Sequence, residues 1–110
     1  MNCENLDLVF GALSDATRRG MLAQLSTGEA NVSALAKPYN MSQPAISKHL
    51  RVLQKAGLIE KVKRGRENYV RAVPERAEEA GGWIAYYAKF WKQQFDDVEI
   101  YLQASKGAKK

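Results

Sequence analysis

One stretch of the sequence, residues 42–59, carries side chains suited to contacting nucleic acid. Wound as an α-helix, it places hydroxyl, amide and cationic groups on a single face. These groups belong to Gln43, Ser47, Lys48, Arg51 and Gln54. Lysine and arginine attract phosphates, whereas serine and glutamine exchange hydrogen bonds with base edges. Because an α-helix also fits the major groove of DNA, we interpret this stretch as a recognition helix.

The ends and the opposite face of this stretch are typical of a helix that lies on a core. Ser42 is a suitable N-cap, and Pro44 falls in the first turn, where its missing donor is tolerated. Gly57 is suited to ending the helix. The apolar residues of the opposite face are Ile46, Leu50 and Leu53. Their spacing of four and three residues predicts that they face a core.

The residues before the recognition helix predict its usual partner. Asn31 is expected to cap a short helix over residues 31–36, and a tight turn at residues 40–41 then leads into the recognition helix. Two helices joined in this way form a helix-turn-helix, whose second helix enters the major groove. Further towards the N-terminus, Ser14 is expected to cap another helix.

The residues after the recognition helix predict a β-hairpin. Residues 58–64 and 67–73 are rich in Val, Ile and Tyr and flank a turn at Gly65. Four cations crowd around this turn: Lys61, Lys63, Arg64 and Arg66. A cationic hairpin directly after a recognition helix is expected to be a wing that contacts phosphates or an adjacent minor groove. Protection of an edge strand from pairing with another chain is the alternative interpretation.

The first and last helices carry more large apolar side chains than so short a chain can bury. We expect them to pair with a second copy of the chain. The residues predicted for this dimer interface are Leu6, Val9, Phe10, Ile84, Tyr87, Trp91, Phe95, Val98 and Leu102. An aromatic ligand pocket is the alternative for the last helix. Gly81 and Gly82 predict a bend or a fresh start in that helix.

Composition predicts one domain over residues 1–104, followed by a disordered basic tail over residues 105–110. The 17 Lys+Arg against 12 Asp+Glu give a net charge of +5, which favours an anionic partner. Cys3 is the only cysteine, so an intrachain disulfide is excluded and a reducing compartment is favoured. No apolar run approaches the roughly 20 residues that cross a bilayer, and the opening residues are unlike a signal peptide. We therefore predict a cytoplasmic protein without a membrane partner.

Taken in order, several segments resemble the ArsR family of small winged helix-turn-helix repressors. They are ALSDATRRGML, EANVSALA, MSQPAISKHLRVLQKAGLI, KRGREN and the Trp-rich last helix. The resemblance implies a mostly α-helical fold with a small β-hairpin, and a homodimer built from the first and last helices. It also implies two recognition helices presented to successive major grooves of an imperfect palindrome. The DNA-binding residues that it assigns by position are Ser42, Gln43, Ser47, Lys48, Arg51, Arg64 and Arg66.

The chain departs from the metal-sensing members of this family. Those that sense arsenic or cadmium have a cysteine pair in the helix before the turn, whereas residues 31–37 contain no cysteine. Those that sense zinc use histidine and carboxylates on the last helix, which here has no histidine. We therefore expect no metal and no cofactor, with a disulfide or metal shared between two copies of Cys3 as the alternative. His49 is expected to be a half-buried hydrogen-bonding residue, with a phosphate contact as its alternative role.

No nucleophile with a base, phosphate-cradling glycine loop or carboxylate pair in a cleft is found, so we do not expect an enzyme. The sequence predicts a dimeric repressor that binds double-stranded DNA at an imperfect palindrome and occludes a promoter. It identifies no small-molecule effector. The alternative is a winged-helix protein-interaction module whose basic face is incidental.

Overall fold

The computed structural model describes residues 3–108, with side chains described for residues 4–104. Within these residues the chain forms five helices and three strands. Their bounds are α1 Cys3–Leu13, α2 Ala16–Leu25, β1 Ala30–Asn31, α3 Val32–Ala36, α4 Gln43–Lys55, β2 Ile59–Arg64, β3 Glu67–Ala72 and α5 Pro74–Ala108. The pair α3 and α4 followed by the hairpin β2–β3 is a winged helix-turn-helix, as predicted.

The chain forms two compact units, the first ending at Ala80 and the second beginning at Gly81. The first unit contains the hydrophobic core. Its buried members are Leu6, Val9, Ala12, Met21, Leu25, Leu35, Ile46, Leu50, Leu53, Ala56, Leu58, Ile59, Val70 and Ala80. Burial of Leu6 and Val9, which are 8 % and 0 % exposed, corrects their assignment to a surface for a second copy. Phe10, 37 % exposed, remains accessible on α1.

The start of α2 differs from the prediction by one residue. Asp15, not Ser14, is the N-cap: its backbone is extended, and its Oδ2 accepts a hydrogen bond of 3.0 Å from the Arg18 backbone N–H. The Ser14 hydroxyl donates instead to the carbonyl of Gly11, at 2.6 Å. Ser and Asp are comparable N-caps, so adjacent candidates in a sequence do not decide which of them the backbone geometry selects.

The helix-turn-helix has the caps that the sequence predicts. Asn31 Oδ1 accepts from the Ser33 N–H at 2.8 Å, and Ser42 Oγ accepts from the Ala45 N–H at 3.3 Å. Each bond satisfies a backbone donor that has no partner within its own helix. After α4 the backbone turns at Gly57, whose φ of 75° lies in the left-handed region.

The sheet is larger than the predicted hairpin. Strands β2 and β3 pair from Ile59↔Ala72 to Arg64↔Glu67, which leaves a two-residue turn with Gly65 at a φ of 63°. This glycine is favoured because the first position of such a turn takes positive φ. The short strand β1 adds a third, antiparallel strand beside β3, through Asn31↔Tyr69 and the neighbouring pair. This strand was not predicted.

Helix α5 is continuous from Pro74 to Ala108. The predicted fresh start at Gly81 and Gly82 is therefore absent, and residues 105–108 are helical although we assigned them to a disordered tail. Residues 109–110 lie outside the described part of the chain. Glycine costs about 1 kcal/mol relative to alanine within a helix, but each added residue also gains a hydrogen bond at little further nucleation cost. The free energy gained by extending the helix thus outweighs the cost of the two glycines.

Candidate nucleic-acid interface

The two faces of α4 separate cleanly into a buried and an exposed side. Ile46, Leu50 and Leu53 are at most 2 % exposed. The opposite side, which we call the recognition face, comprises the exposed residues Gln43, Ser47, Lys48, Arg51 and Gln54. Because the core fixes the inner side, these five side chains are presented outward together. Their exposure on one face agrees with the prediction from helical spacing.

The cations of the recognition face are free to bind an external anion. Lys48 and Arg51 form no ion pair with any residue that the structure describes. Ser42 has a different position, because its hydroxyl already caps the first turn of α4. The Ser42 hydroxyl therefore already has a structural partner in the free protein.

The wing carries three exposed cations near its turn, Lys63, Arg64 and Arg66. Arg64 forms an ion pair with Glu29, and its guanidinium lies 5.7 Å from the centre of the Tyr69 ring. Lys63 and Arg66 have no ion-pair partner among residues 4–104. The wing therefore offers two unpaired cations and one that is held in place.

An open groove joins the recognition helix to the wing. Its volume is about 280 Å³, and its lining residues are Asn31, Val32, Ser33, Gln43, Arg66, Glu67 and Asn68. Gln43 belongs to the recognition face and Arg66 to the wing, so the structure brings the two predicted parts of the site onto one surface. The groove positions of Asn31, Ser33 and Asn68 were not predicted, because they depend on the pairing of β1 with β3.

Glu67 introduces a negative charge into this groove. Its Oε2 accepts hydrogen bonds from Asn31 Nδ2 at 3.1 Å and from the Tyr69 hydroxyl at 2.9 Å. The bond to Glu67 raises the pKa of the Tyr69 phenol, because removing the proton would place a second negative charge beside the carboxylate. Asn31 and Tyr69 also face each other in the β1–β3 pairing, so the Asn31–Glu67 bond and this pairing fasten the wing to the strand before the helix-turn-helix.

Behind the recognition face, Arg18 connects three helices. From α2, its Nε donates to the carbonyl of Ala12 at 2.8 Å and its Nη2 to that of Gly11 at 3.1 Å, both in the last turn of α1. Its Nη1 lies 3.1 Å from Nδ1 of His49 on α4. A guanidinium only donates, so Nδ1 of His49 is the acceptor in this bond. His49 is half-buried and hydrogen-bonded, as expected.

The N-cap Asp15 lies beside this connection. Its Oδ2 is 3.9 Å from Nδ1 of His49, and the hydrogen bond from the Arg18 backbone holds the pKa of the carboxyl below its usual value of 3.8. The partners of Arg18 were not predicted from the sequence. Its contacts span 6 to 31 residues of sequence, so no local pattern could have identified them.

The predicted contact residues of α5 are exposed in the single chain. Ile84, Tyr87, Trp91, Phe95, Val98 and Leu102 are between 41 % and 66 % exposed. Exposed apolar side chains in such number mark a surface that binds a partner.

Among the described residues, no group of three or more His, Cys, Asp or Glu side chains could hold a metal ion. In the same part of the chain, no helix meets the length and apolar character of a membrane span.

Comparison with known proteins places this geometry in context. Residues 15–61 match the family described as "Bacterial regulatory protein, arsR family". Over 76 residues the chain is 33 % identical to the transcriptional repressor SdpR of Bacillus subtilis (strain 168). These residues are 69 % of this chain and 84 % of SdpR.

Solved structures agree with the sequence match. An ArsR-like transcriptional regulator from Rhodococcus sp. RHA1 superposes with a TM-score of 0.80 at 33 % identity, covering 92 % of this chain and 93 % of that one. The homodimeric winged helix-turn-helix DNA-binding domain of a Mycobacterium bovis protein superposes with a TM-score of 0.60 at 25 % identity, covering 84 % and 82 %. The roles named for these proteins are transcriptional regulation and DNA binding.

Proposed function

Because this chain belongs to the ArsR family of bacterial regulatory proteins, we propose that it is a homodimeric repressor that occludes a promoter at an imperfect palindrome. At a coarser level, it is a transcriptional regulator with a winged helix-turn-helix DNA-binding fold, and it is not an enzyme. The specific proposals concern which residues contact DNA, how two copies pair and how binding silences a gene.

The observation that carries the proposal is the continuity of the recognition face, the groove and the wing. Gln43 and Arg66 line the same groove, so the N-terminal end of α4 and the wing turn are neighbours on one surface. DNA binding requires base-reading groups flanked by phosphate-binding cations, and this surface provides both. A helix face that only met solvent would not need unpaired cations both on α4 and on the adjoining wing.

We assign different tasks to the two parts of this surface. Gln43, Ser47 and Arg51 are proposed to read base edges in the major groove, since their donors and acceptors can distinguish the hydrogen-bonding patterns of different base pairs. Lys48, Lys63, Arg64 and Arg66 are proposed to contact phosphates. Ser42 is proposed to fix the first turn of α4 against the DNA backbone. Phosphate contacts set position and salt dependence, whereas base contacts set sequence preference.

The exposed apolar stripe of α5 is proposed to pair with the same stripe of a second copy. It comprises Ile84, Tyr87, Trp91, Phe95, Val98 and Leu102, and the exposed Phe10 of α1 is separately proposed to contact the second copy. A two-fold dimer would present two recognition helices to half-sites about 34–36 Å apart. Bound in this way, the protein would block access of polymerase to the promoter.

Binding of the purified protein to fragments of its own genome tests the proposal. We expect enrichment of a short palindrome, and affinity that falls steeply with salt on both this operator and a scrambled control. The operator should bind tighter by about 4 kcal/mol or more. Equal, salt-sensitive binding to both DNAs would refute sequence-specific repression. That result would instead favour a protein-interaction module in which the exposed stripe of α5 binds a different protein.

A further inference from the structure

One wing cation, Arg64, is fixed by a carboxylate that lies outside the wing. Its Nη1 pairs with Oε1 of Glu29, the residue directly before β1. The Glu29 side chain is 25 % exposed and that of Arg64 is 62 % exposed. The carboxylate is therefore the more enclosed partner, while most of the arginine remains accessible to an external ligand.

The neighbouring contacts explain why Arg64 pairs with Glu29. Its partner across the hairpin is Glu67, but that carboxylate already accepts hydrogen bonds from Asn31 and Tyr69. The bond from Asn31 joins β1 to β3, which also pair through their backbones, and so holds Glu29 beside the wing. The Tyr69 ring lies 5.7 Å from the guanidinium on another side. A carboxylate and an aromatic ring thus restrict Arg64 from two directions.

The geometry of this pair leaves donors for a second anion. The recorded ion pair uses Nη1 of Arg64, whereas a guanidinium has five N–H groups in a planar fork. A free arginine loses conformational entropy when a phosphate fixes it, and this loss reduces the affinity gained. An arginine that is already held loses less. Glu29 can therefore assist a phosphate contact although its own charge repels DNA.

We propose that Glu29 is a positioning residue for DNA binding, which holds the Arg64 guanidinium in the orientation that meets a backbone phosphate. This inference rests on the proposed function, because it assigns a role within the same DNA-binding surface. Glu29 does not touch the DNA itself and acts through Arg64. The Arg64 guanidinium keeps its bond to Glu29 while its remaining N–H groups donate to the phosphate.

The Glu29→Ala variant tests this role against simple electrostatics, because the two make opposite predictions. Removing a negative charge near DNA should strengthen binding, whereas losing the support of Arg64 should weaken it. We expect Glu29→Ala to bind operator and scrambled DNA more weakly by about twofold to tenfold for each protomer of the dimer, which is the cost of ordering one long side chain. Equal losses on both DNAs are expected because a phosphate contact carries no sequence information.

Glu60→Ala is the matched control. Glu60 forms an ion pair with Arg71 on the same hairpin, four residue pairs away from the Arg64↔Glu67 pair. The Glu60→Ala substitution removes a carboxylate near the same sheet without affecting Arg64. The DNA affinity of this variant should therefore be unchanged or slightly stronger. Glu29→Gln retains a neutral acceptor for Arg64 and should restore part of the loss. Far-UV circular dichroism of each variant verifies that it is folded.

The dependence on Arg64 completes the test. Arg64→Ala should make the slope of log affinity against log salt shallower by about 0.9 for each protomer, or about 1.8 for the bound dimer, and adding Glu29→Ala to it should cause no further loss. Tighter binding by Glu29→Ala, or the same change as in Glu60→Ala, would overturn the positioning role. These comparisons use scrambled DNA as well as the operator. A wild-type protein that fails to discriminate the two would refute the proposed repressor, whereas the losses of the Glu29 variants on scrambled DNA would still support or overturn the positioning role.

Discussion

Replacing Arg18 by methionine should both destabilise the first unit and disturb the recognition helix. The substitution keeps a long apolar side chain but removes the donors to the carbonyls of Gly11 and Ala12 and to His49. Hydrogen bonds from a charged group contribute about 1.5–3 kcal/mol each when they are enclosed. Here the Gly11 contact is exposed and the other two are part-buried. Counting the two part-buried bonds at the low end of that range gives a loss of about 3 kcal/mol.

Urea unfolding followed by far-UV circular dichroism measures this loss. All variants are compared at one protein concentration, since dimerisation makes apparent stability depend on concentration. Arg19→Met is the matched control, because Arg19 donates one exposed hydrogen bond, to the Leu13 carbonyl at 2.7 Å. Its loss should stay below about 1 kcal/mol. Equal losses in the two variants, or a midpoint unchanged by Arg18→Met, would refute the role of Arg18 in joining the three helices.

A double-mutant cycle with His49→Leu, which has no acceptor for Arg18, isolates the bond that reaches α4. We expect a coupling energy of about 0.5–1.5 kcal/mol between the two positions, since they share one part-buried hydrogen bond. Because this bond fixes the recognition helix, Arg18→Met should also weaken binding to the operator more than to scrambled DNA. Additive losses would show that His49 is held by its other neighbours.

Three further outcomes are expected. Arg51→Ala should cost about 1–3 kcal/mol on the operator and little on scrambled DNA; equal losses in a binding titration would reassign Arg51 to phosphate. Trp91→Glu should place a charge in the proposed interface and lower the sedimentation coefficient at low protein concentration, and an unchanged value would refute that interface. The pKa of Asp15 is lowered chiefly by the Arg18 backbone bond. Stability from this carboxylate is therefore present above its ordinary pKa of 3.8 and lost as the pH falls through its lower folded value. Unfolding curves from about pH 5 to about pH 2.5 should show a smaller acid-induced loss in Asp15→Asn; an identical loss would contradict the shift.

The helix-turn-helix and wing could be predicted because their determinants are local. Ser42 supplies a cap three residues from the N–H that it binds, and Gly65 supplies the positive φ of a two-residue turn. The stripe of Ile46, Leu50 and Leu53 has one interpretation in a helix of this length. Local hydrogen bonds and helical periodicity therefore fix the elements that carry the proposed site.

The unpredicted features depend on contacts between distant segments. Strand β1 has two residues and exists only because β3 pairs with it, so it has no pattern of its own. Leu6 and Val9 are apolar residues of an apolar helix, and sequence alone does not distinguish burial within a chain from burial between chains. The Glu29–Arg64 pair joins residues 35 positions apart and follows from the same β1–β3 pairing.

The division of α4 into two faces separates stability from sequence recognition. Its inner side chains are held by the core, and His49 at the edge is held by Arg18. The exposed side contributes little to folding, because surface substitutions away from such contacts usually change stability by no more than about 0.5 kcal/mol. Free cations on this side are available to bind phosphate without first breaking an internal ion pair. The wing has unpaired cations of this kind and also Arg64, which is held by Glu29 yet remains exposed. A surface of this kind gains affinity from free charges and precision from the one that is fixed.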